Sequence, residues 1–181
     1  KKGDSCKGTI VESCFPDSAY IEYEGEKILI KKGILGQTLE FAITKKKKGR
    51  LEGRVLNIIE KSKLENNENP CIHYELCGGC TYQTLSYENQ LKLKDKQLRE
   101  LMEGATDKDF KWEGVIPSPK YLAYRNKMEF SFGDEIKDGD LALGMHKKGS
   151  HYDIVNVFEC KIVDSDFTKI LELTLNLFKE R

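Results

Sequence analysis

Three cysteines fall within ten residues, in Cys71-Ile72-His73-Tyr74-Glu75-Leu76-Cys77-Gly78-Gly79-Cys80, and their C-x5-C-x2-C spacing constrains this chain more than any other feature. Thiols at this density point to a metal site, because thiolates are the natural ligands of zinc and of iron-sulfur clusters, and both normally take four protein ligands. The paired glycines suit a chain wrapped around a metal centre, which calls for positive φ angles, close backbone approach and amides free to donate to sulfur. A fourth ligand has to come from elsewhere. Cys6, Cys14 and Cys160 are candidates, with His73 as a mixed-ligand option, and sequence distance does not choose among them. Six cysteines also suffice for three disulfides in a small secreted protein. Their clustering, and the absence of a signal-peptide core after Lys1-Lys2-Gly3-Asp4, favour reduced thiols or metal ligands instead.

A length of 181 residues allows one domain or two small ones. With 39% hydrophobic and 33% charged residues the chain suits a soluble globular protein with a modest core. Thirty basic and thirty acidic side chains cancel, which excludes the uniformly basic field usual in nucleic-acid binders, so any basic surface has to be local. No apolar run approaches the roughly 18 residues of a membrane-spanning helix, and a cytoplasmic location is expected. The chain opens on Lys1 and ends on Leu177-Phe178-Lys179-Glu180-Arg181, inside a helical pattern without a stop signal, so it reads as a piece of a longer protein.

From Lys7 to about Lys61, five short β-like runs (Gly8 to Ser13, Ala19 to Tyr23, Lys27 to Ile30, Thr38 to Thr44, Gly53 to Ile59) alternate with turns at Glu24-Gly25, Lys32-Gly33 and Lys48-Gly49. Such a series predicts a small barrel. Residues 41 to 63 hold Lys45, Lys46, Lys47, Lys48, Arg50, Arg54, Lys61 and Lys63 against Glu52 and Glu60, a local net charge of +6. That is the local basic surface, either a loop that lies along RNA phosphates or a solvated hairpin tip. Leu64 to Pro70, with Asn66, Asn67 and Asn69, reads as a loop. Ser86 caps a predicted helix from Tyr87 to Met102 whose Tyr87, Leu91, Leu98 and Met102 share a face, with Gly104 as its stop, packed beside the cysteines. Val115 to Pro119 is extended. Beyond it the alternation of Met128, Phe130 and Phe132, then Leu141, Leu143 and Met145, then Tyr152 to Val157, with turns at Lys137-Asp138-Gly139-Asp140 and Lys148-Gly149, predicts an antiparallel meander followed by a helix from about Asp166. The Phe and Met stripe is read as core.

Three stretches in this order resemble the TRAM-containing RNA uracil-5-methyltransferases, across the whole chain. Cys77-Gly78-Gly79-Cys80-Thr81-Tyr82-Gln83, followed by Tyr87, Gln90-Leu91 and Lys94, is similar to their iron-sulfur segment. Tyr124-Arg125-Asn126-Lys127-Met128-Glu129-Phe130-Ser131-Phe132-Gly133 looks like the start of their central domain. Ser150-His151-Tyr152-Asp153-Ile154-Val155-Asn156-Val157-Phe158-Glu159-Cys160 looks like the segment ending in their fourth cluster ligand. The resemblance implies that Cys71, Cys77, Cys80 and Cys160 hold a 4Fe-4S cluster. It further implies an α+β, mostly β chain: a TRAM-like OB barrel at 1–62, the iron-sulfur loop and helix at 63–104, and the first part of a central domain at 105–181. Cys6 and Cys14 match no ligand position and read as small reduced thiols. His73 reads as a loop residue, His146 and His151 as strand-end or polar-contact residues.

By the same resemblance, a cysteine thiolate adds to C6 of uracil, the enolate takes a methyl group from S-adenosylmethionine, and a general base removes the C5 proton. Nothing after Cys160 offers a Gly-rich strand-to-helix turn or room for a Rossmann-like sheet, so no residue is assigned to catalysis or to S-adenosylmethionine, and the fragment alone is expected to be inactive. What it retains is recognition of ribosomal or transfer RNA, as a monomer and without a membrane. Lys45, Lys46, Lys47, Lys48, Arg50 and Arg54 would supply charge, Arg125 and Lys127 phosphate contacts, and Phe15, Tyr20 or Tyr23 a stacking face. The alternatives are a zinc-stabilised RNA-binding module without activity, and a radical-type RNA-modifying enzyme. The latter uses a C-x3-C-x2-C triad, which this spacing is not.

Overall fold

The computed structural model describes residues 5–47, 49–66 and 71–180, with only the backbone of Lys46 and Lys47. The sequence readings that rest on residues 1–4, on Lys48, on the side chains of Lys46 and Lys47, and on residues 67–70 of the polar loop lie outside the described residues. The chain divides into two compact units, each made of two stretches: Lys1–Asn67 with Thr84–Ile116, and Glu68–Gln83 with Pro117–Arg181.

In the first unit, strands β1 (Ser5–Cys14), β2 (Ser18–Tyr23), β3 (Glu26–Lys31), β4 (Thr38–Lys47) and β5 (Arg50–Glu60) form the expected closed barrel, in the order β1-β2-β3-β5-β4. Alternation drives it, because Ala19 and Ile21 of β2, Ile28 and Ile30 of β3, and Leu39 and Phe41 of β4 recur at every second position and turn inward. Ala19, Ile21, Ile28, Ile30, Leu39 and Phe41, with Ile10 of β1, make the buried core, and Tyr23 meets Phe41 edge to face at 5.8 Å. Burying a side chain of this class stabilises by about 1.5–3 kcal/mol. The β2–β3 hairpin turns on Glu24 and Gly25, both at positive φ (51° and 77°), as a two-residue hairpin requires. All neighbours are antiparallel except β3 and β5, which close the barrel through a short parallel seam, Ile28 opposite Leu51 and Leu29 opposite Glu52.

Helix α1 (Tyr87–Ala105) belongs to the barrel's unit, whereas the sequence reading grouped it with the cysteine loop. Its start is as expected: the Ser86 hydroxyl accepts from the Asn89 amide at 3.2 Å. Its end is not, since Gly104 lies inside the helix and the chain leaves at Thr106 in an extended conformation. Nor is the anticipated apolar face covered. Leu98 and Met102 are exposed, Gln97 is the buried residue, and pairs such as Glu88–Lys92 and Arg99–Glu103 decorate a largely solvated helix.

In the second unit, β6 (Ser131–Asp134), β7 (Leu141–His146) and β8 (Ile154–Asn156) form the predicted antiparallel meander, and α2 (Ser165–Lys179) follows, capped by the Asp164 carboxylate on the Asp166 amide at 3.0 Å. Leu143, Val155 and Val157 pack with Leu171 and Leu175 of α2 into a second core. The first strand is shorter than its alternation suggests. The residues ahead of it are held elsewhere, with Ala123 N donating to Lys161 O and Arg125 N to Ile162 O, and Arg125 bridging Val163. Phe132 is therefore no core residue. It is half exposed and leans on Phe178 at 4.9 Å.

Candidate metal centre and basic surface

The cysteine loop folds tightly on itself and is laid against the end of β7. The amides of Leu76 and Cys77 both donate to His73 O (3.1 and 2.7 Å), and Tyr74 N donates to Cys71 O (3.2 Å). A two-sided backbone bridge then anchors it, Gly78 N to His146 O at 2.8 Å and Lys148 N to Leu76 O at 2.7 Å. The Tyr74 hydroxyl donates to Thr81 O at 2.9 Å, and the Lys148 ammonium sits 3.8 Å from the centre of the Tyr74 ring. Cys160 arrives from the other side of the sequence, just past β8, its amide donating to the Val157 carbonyl at 3.1 Å; both Cys77 and Cys160 pack against the second core.

Neither loop glycine has the positive φ expected of it. Gly78 is needed for close approach instead: a Cβ there would stand 2.9 Å from the His146 carbonyl oxygen. The expected amide donor is present at Gly79, whose N–H reaches Cys77 Sγ at 3.4 Å.

All six cysteines are free thiols. Burial pushes the Cys80 thiol up to about 11, and Cys160, Cys77 and Cys71 push in the same direction, against a hydrogen bond from Gln83 Nε2 at 3.3 Å. Burial also raises Cys71, opposed by the backbone amides of His73 and Lys161 and reinforced by Cys160 and Cys77. Cys71 and Cys80 thus lie with Cys77 and Cys160 in one set inside one unit, and both are disfavoured as thiolates until positive charge is placed among them. Among the described residues no group of three or more His, Cys, Asp or Glu side chains is arranged to hold a single metal ion. The chemistry of the set, four half-buried thiols with amide donors aimed at sulfur, fits a thiolate-ligated centre.

The other sulfur atoms and histidines fall outside this set. Cys6 packs against the barrel core, and the Cys14 thiol donates to Glu12 Oε1 at 3.5 Å. His146 contributes its carbonyl and His151 is exposed. His73 is more than a loop residue: its Nε2 lies 2.7 Å from Glu159 Oε2, a hydrogen bond whose imidazole is largely covered. Nothing in the sequence marks Glu159 except its place beside Cys160.

Of the basic candidates, Lys45, Arg50 and Arg54 lie exposed on the β4–β5 hairpin, Lys45 facing Glu52 and Arg54 facing Ala42 across the ladder. Lys46 and Lys47 continue β4, paired with Leu51 and Arg50. Arg125 and Lys127 belong to the other unit and are engaged locally, Arg125 Nε with Lys127 O at 3.1 Å and Lys127 Nζ with Glu129 at 2.9 Å. Phe15 is exposed and Tyr20 half-buried, while Tyr23 is committed to the barrel core.

No family model matches the chain. A Caldanaerobacter subterraneus subsp. tengcongensis protein named as an uncharacterized RNA methyltransferase is 46% identical over 180 residues, covering 99% of this chain and 40% of its own length. A Clostridium tetani protein of the same name is 41% identical over 181 residues, covering 100% of this chain and 40% of its own. The chain thus spans about two-fifths of the length of the curated relatives it matches. The crystal structure of the Pyrococcus abyssi tRNA (uracil-54, C5)-methyltransferase in complex with S-adenosyl-L-homocysteine has a TM-score of 0.61 at 23% identity, covering 96% of this chain and 37% of that one; the likeness is one of fold. No helix among the described residues is long and apolar enough to cross a membrane.

Proposed function

From homology along its whole length to proteins named RNA methyltransferases, we propose that this chain is the RNA-recognition and 4Fe-4S-binding part of an S-adenosylmethionine-dependent RNA uracil-5-methyltransferase. The observation that carries the reading is the gathering of four free thiols, Cys71, Cys77, Cys80 and Cys160, into one set within one unit. Thiolates ligate zinc and iron-sulfur clusters alike, and the resemblance of the cysteine segment to that of iron-sulfur enzymes favours the cluster. When bound, the cluster supplies a covalent staple between the loop and the Cys160 segment. The protein's own part is to present four sulfurs, offer the amides of Gly79, His73 and Lys161 to them, and pack Cys77 and Cys160 against the second core.

RNA recognition falls to the barrel. Exposed cations on the β4–β5 hairpin displace counterions from phosphates, with Arg125 and Lys127 as secondary contacts. The product-like ligand of the fold relative supports S-adenosylmethionine as methyl donor, and uracil C5 as its acceptor. Donor and catalytic residues belong, in this reading, to the part of the relatives' length that this chain does not span, and the chain works in the cytoplasm on ribosomal or transfer RNA.

Anaerobic purification of the chain tests this. Brown protein with broad absorbance in the violet, about four irons and as much sulfide per chain, and no methyl transfer to RNA are expected. Colourless protein with stoichiometric zinc, or methylation by the chain alone, refutes the proposal.

A further inference from the structure

The triad and Cys160 come from segments 80 residues apart in sequence, so whatever holds those segments together decides whether a four-thiolate site exists. The backbone bridge does not do this, since Gly78 and Leu76 are tied to the end of β7 and the turn after it. Cys160 lies beyond β8. Among the contacts that reach its segment from the loop are the Lys161 amide directed at the Cys71 sulfur and the contact of His73 Nε2 with Glu159 Oε2 at 2.7 Å. The second joins side chains. His73 follows Cys71 by two residues and its carbonyl receives the Leu76 and Cys77 amides, so its backbone sets the turn that aims Cys77. Glu159 immediately precedes Cys160. The imidazole is largely covered, with 16% of its side chain exposed, and therefore held in one orientation, while the carboxylate is 54% exposed.

We infer that His73 and Glu159 are a positioning pair, a latch that fixes the Cys160 segment against the loop and so sets how firmly a cluster is retained. The inference rests on the proposed reading of the four thiols as one cluster site. Neither residue is a ligand in it. The latch acts through the sulfurs that flank it, as hydrogen-bonded partners around a metal site orient its ligands, where losses of about 10–100-fold in affinity are usual.

The test uses the full chain, purified anaerobically with its iron, and follows bleaching of the violet absorbance by an iron chelator. His73→Ala and Glu159→Ala are each expected to release iron about tenfold faster than the parent. The double variant is expected to be no faster than either single one, because both remove the same interaction. His73→Gln, which keeps an N–H donor, should recover much of the retention. Circular dichroism of the metal-free proteins checks that the variants fold; one that does not is replaced in the comparison by Glu159→Gln. Release unchanged in the single variants, or a double variant whose rate is the product of the two single effects, overturns the latch while leaving the cluster in place. A parent chain that takes up no iron overturns the cluster reading, and the latch with it.

Discussion

Replacing Gly78 by alanine tests the reason for a glycine at the heart of the cysteine loop. The added Cβ would stand 2.9 Å from the His146 carbonyl oxygen, about 0.4 Å inside the roughly 3.3 Å at which carbon and carbonyl oxygen ordinarily meet. The oxygen belongs to the backbone of β7 and cannot swing aside, so the loop must retreat. A retreat of that size stretches the Gly78 N to His146 O bond from 2.8 Å to about 3.2 Å, the far limit of an N–H···O bond. Overpacking of this kind costs about 1–3 kcal/mol, and in a unit this small each kcal/mol lowers the melting temperature by roughly 4–8 °C. Gly79→Ala is the matched control: its Cβ meets the flexible Met145 Cε and Cys77 Sγ at 3.4 Å, ordinary contact distances. The single tryptophan, Trp112, belongs to the barrel's unit, so the second unit is better followed by heat-dependent alkylation of Cys77 and Cys160, read by mass spectrometry. Gly78→Ala should expose these thiols at a clearly lower temperature than the parent, and Gly79→Ala at nearly the same one. Equal behaviour of the two variants would show that close approach to β7 is not why position 78 lacks a side chain.

Two further outcomes follow from geometry already described. Converting Lys45, Arg50 and Arg54 to alanine together should weaken binding of single-stranded RNA and reduce the slope of log K against log salt by about 0.7 for each phosphate no longer neutralised, measurable by filter binding across salt concentrations; an unchanged slope removes the hairpin from the interface. In the metal-free chain the Cys80 thiol is raised from 9.0 to about 11, mainly by burial, so its protonated form is the one folding favours. Stability from this group is present below pH 9 and lost as pH climbs toward 11. Urea unfolding at about pH 8 and about pH 10.5 should show the decline, and Cys80→Ser should flatten it.

Legibility in the sequence followed how local each cause is. The barrel was readable because its signals sit in adjacent residues: apolar alternation in Ala19 to Tyr23 and Lys27 to Ile30, and the Glu24-Gly25 turn between them. The meander was readable for the same reason, apart from its first strand, where hydrogen bonds from residues 123 and 125 to a segment near 162 override the alternation. The end of α1 was misjudged because a glycine stops a helix only where the backbone turns left-handed, and Gly104 does not. At the cysteines, spacing and composition pointed to three candidate ligands and no more. The fourth thiol and its neighbour Glu159 depend on contacts across some 80 residues, which no periodicity encodes. The glycines were recognised as special for a partly mistaken reason, since steric clearance at Gly78, not φ, is what the fold demands.

The two-stretch construction of each unit also dictates a timetable for the ribosome. The chain enters the first unit, leaves it at residue 67, returns at Thr84 and leaves again after Ile116, so the first unit is complete only when residue 116 has emerged. The loop thiols are made early and Cys160 comes 80 residues after Cys80. At synthesis rates of about 5–20 residues per second, Cys71, Cys77 and Cys80 wait roughly 4–16 s for their fourth companion. Through that interval they are three thiols on a nascent chain without their fourth companion, so any chemistry that needs all four must follow translation of the meander and not accompany translation of the loop.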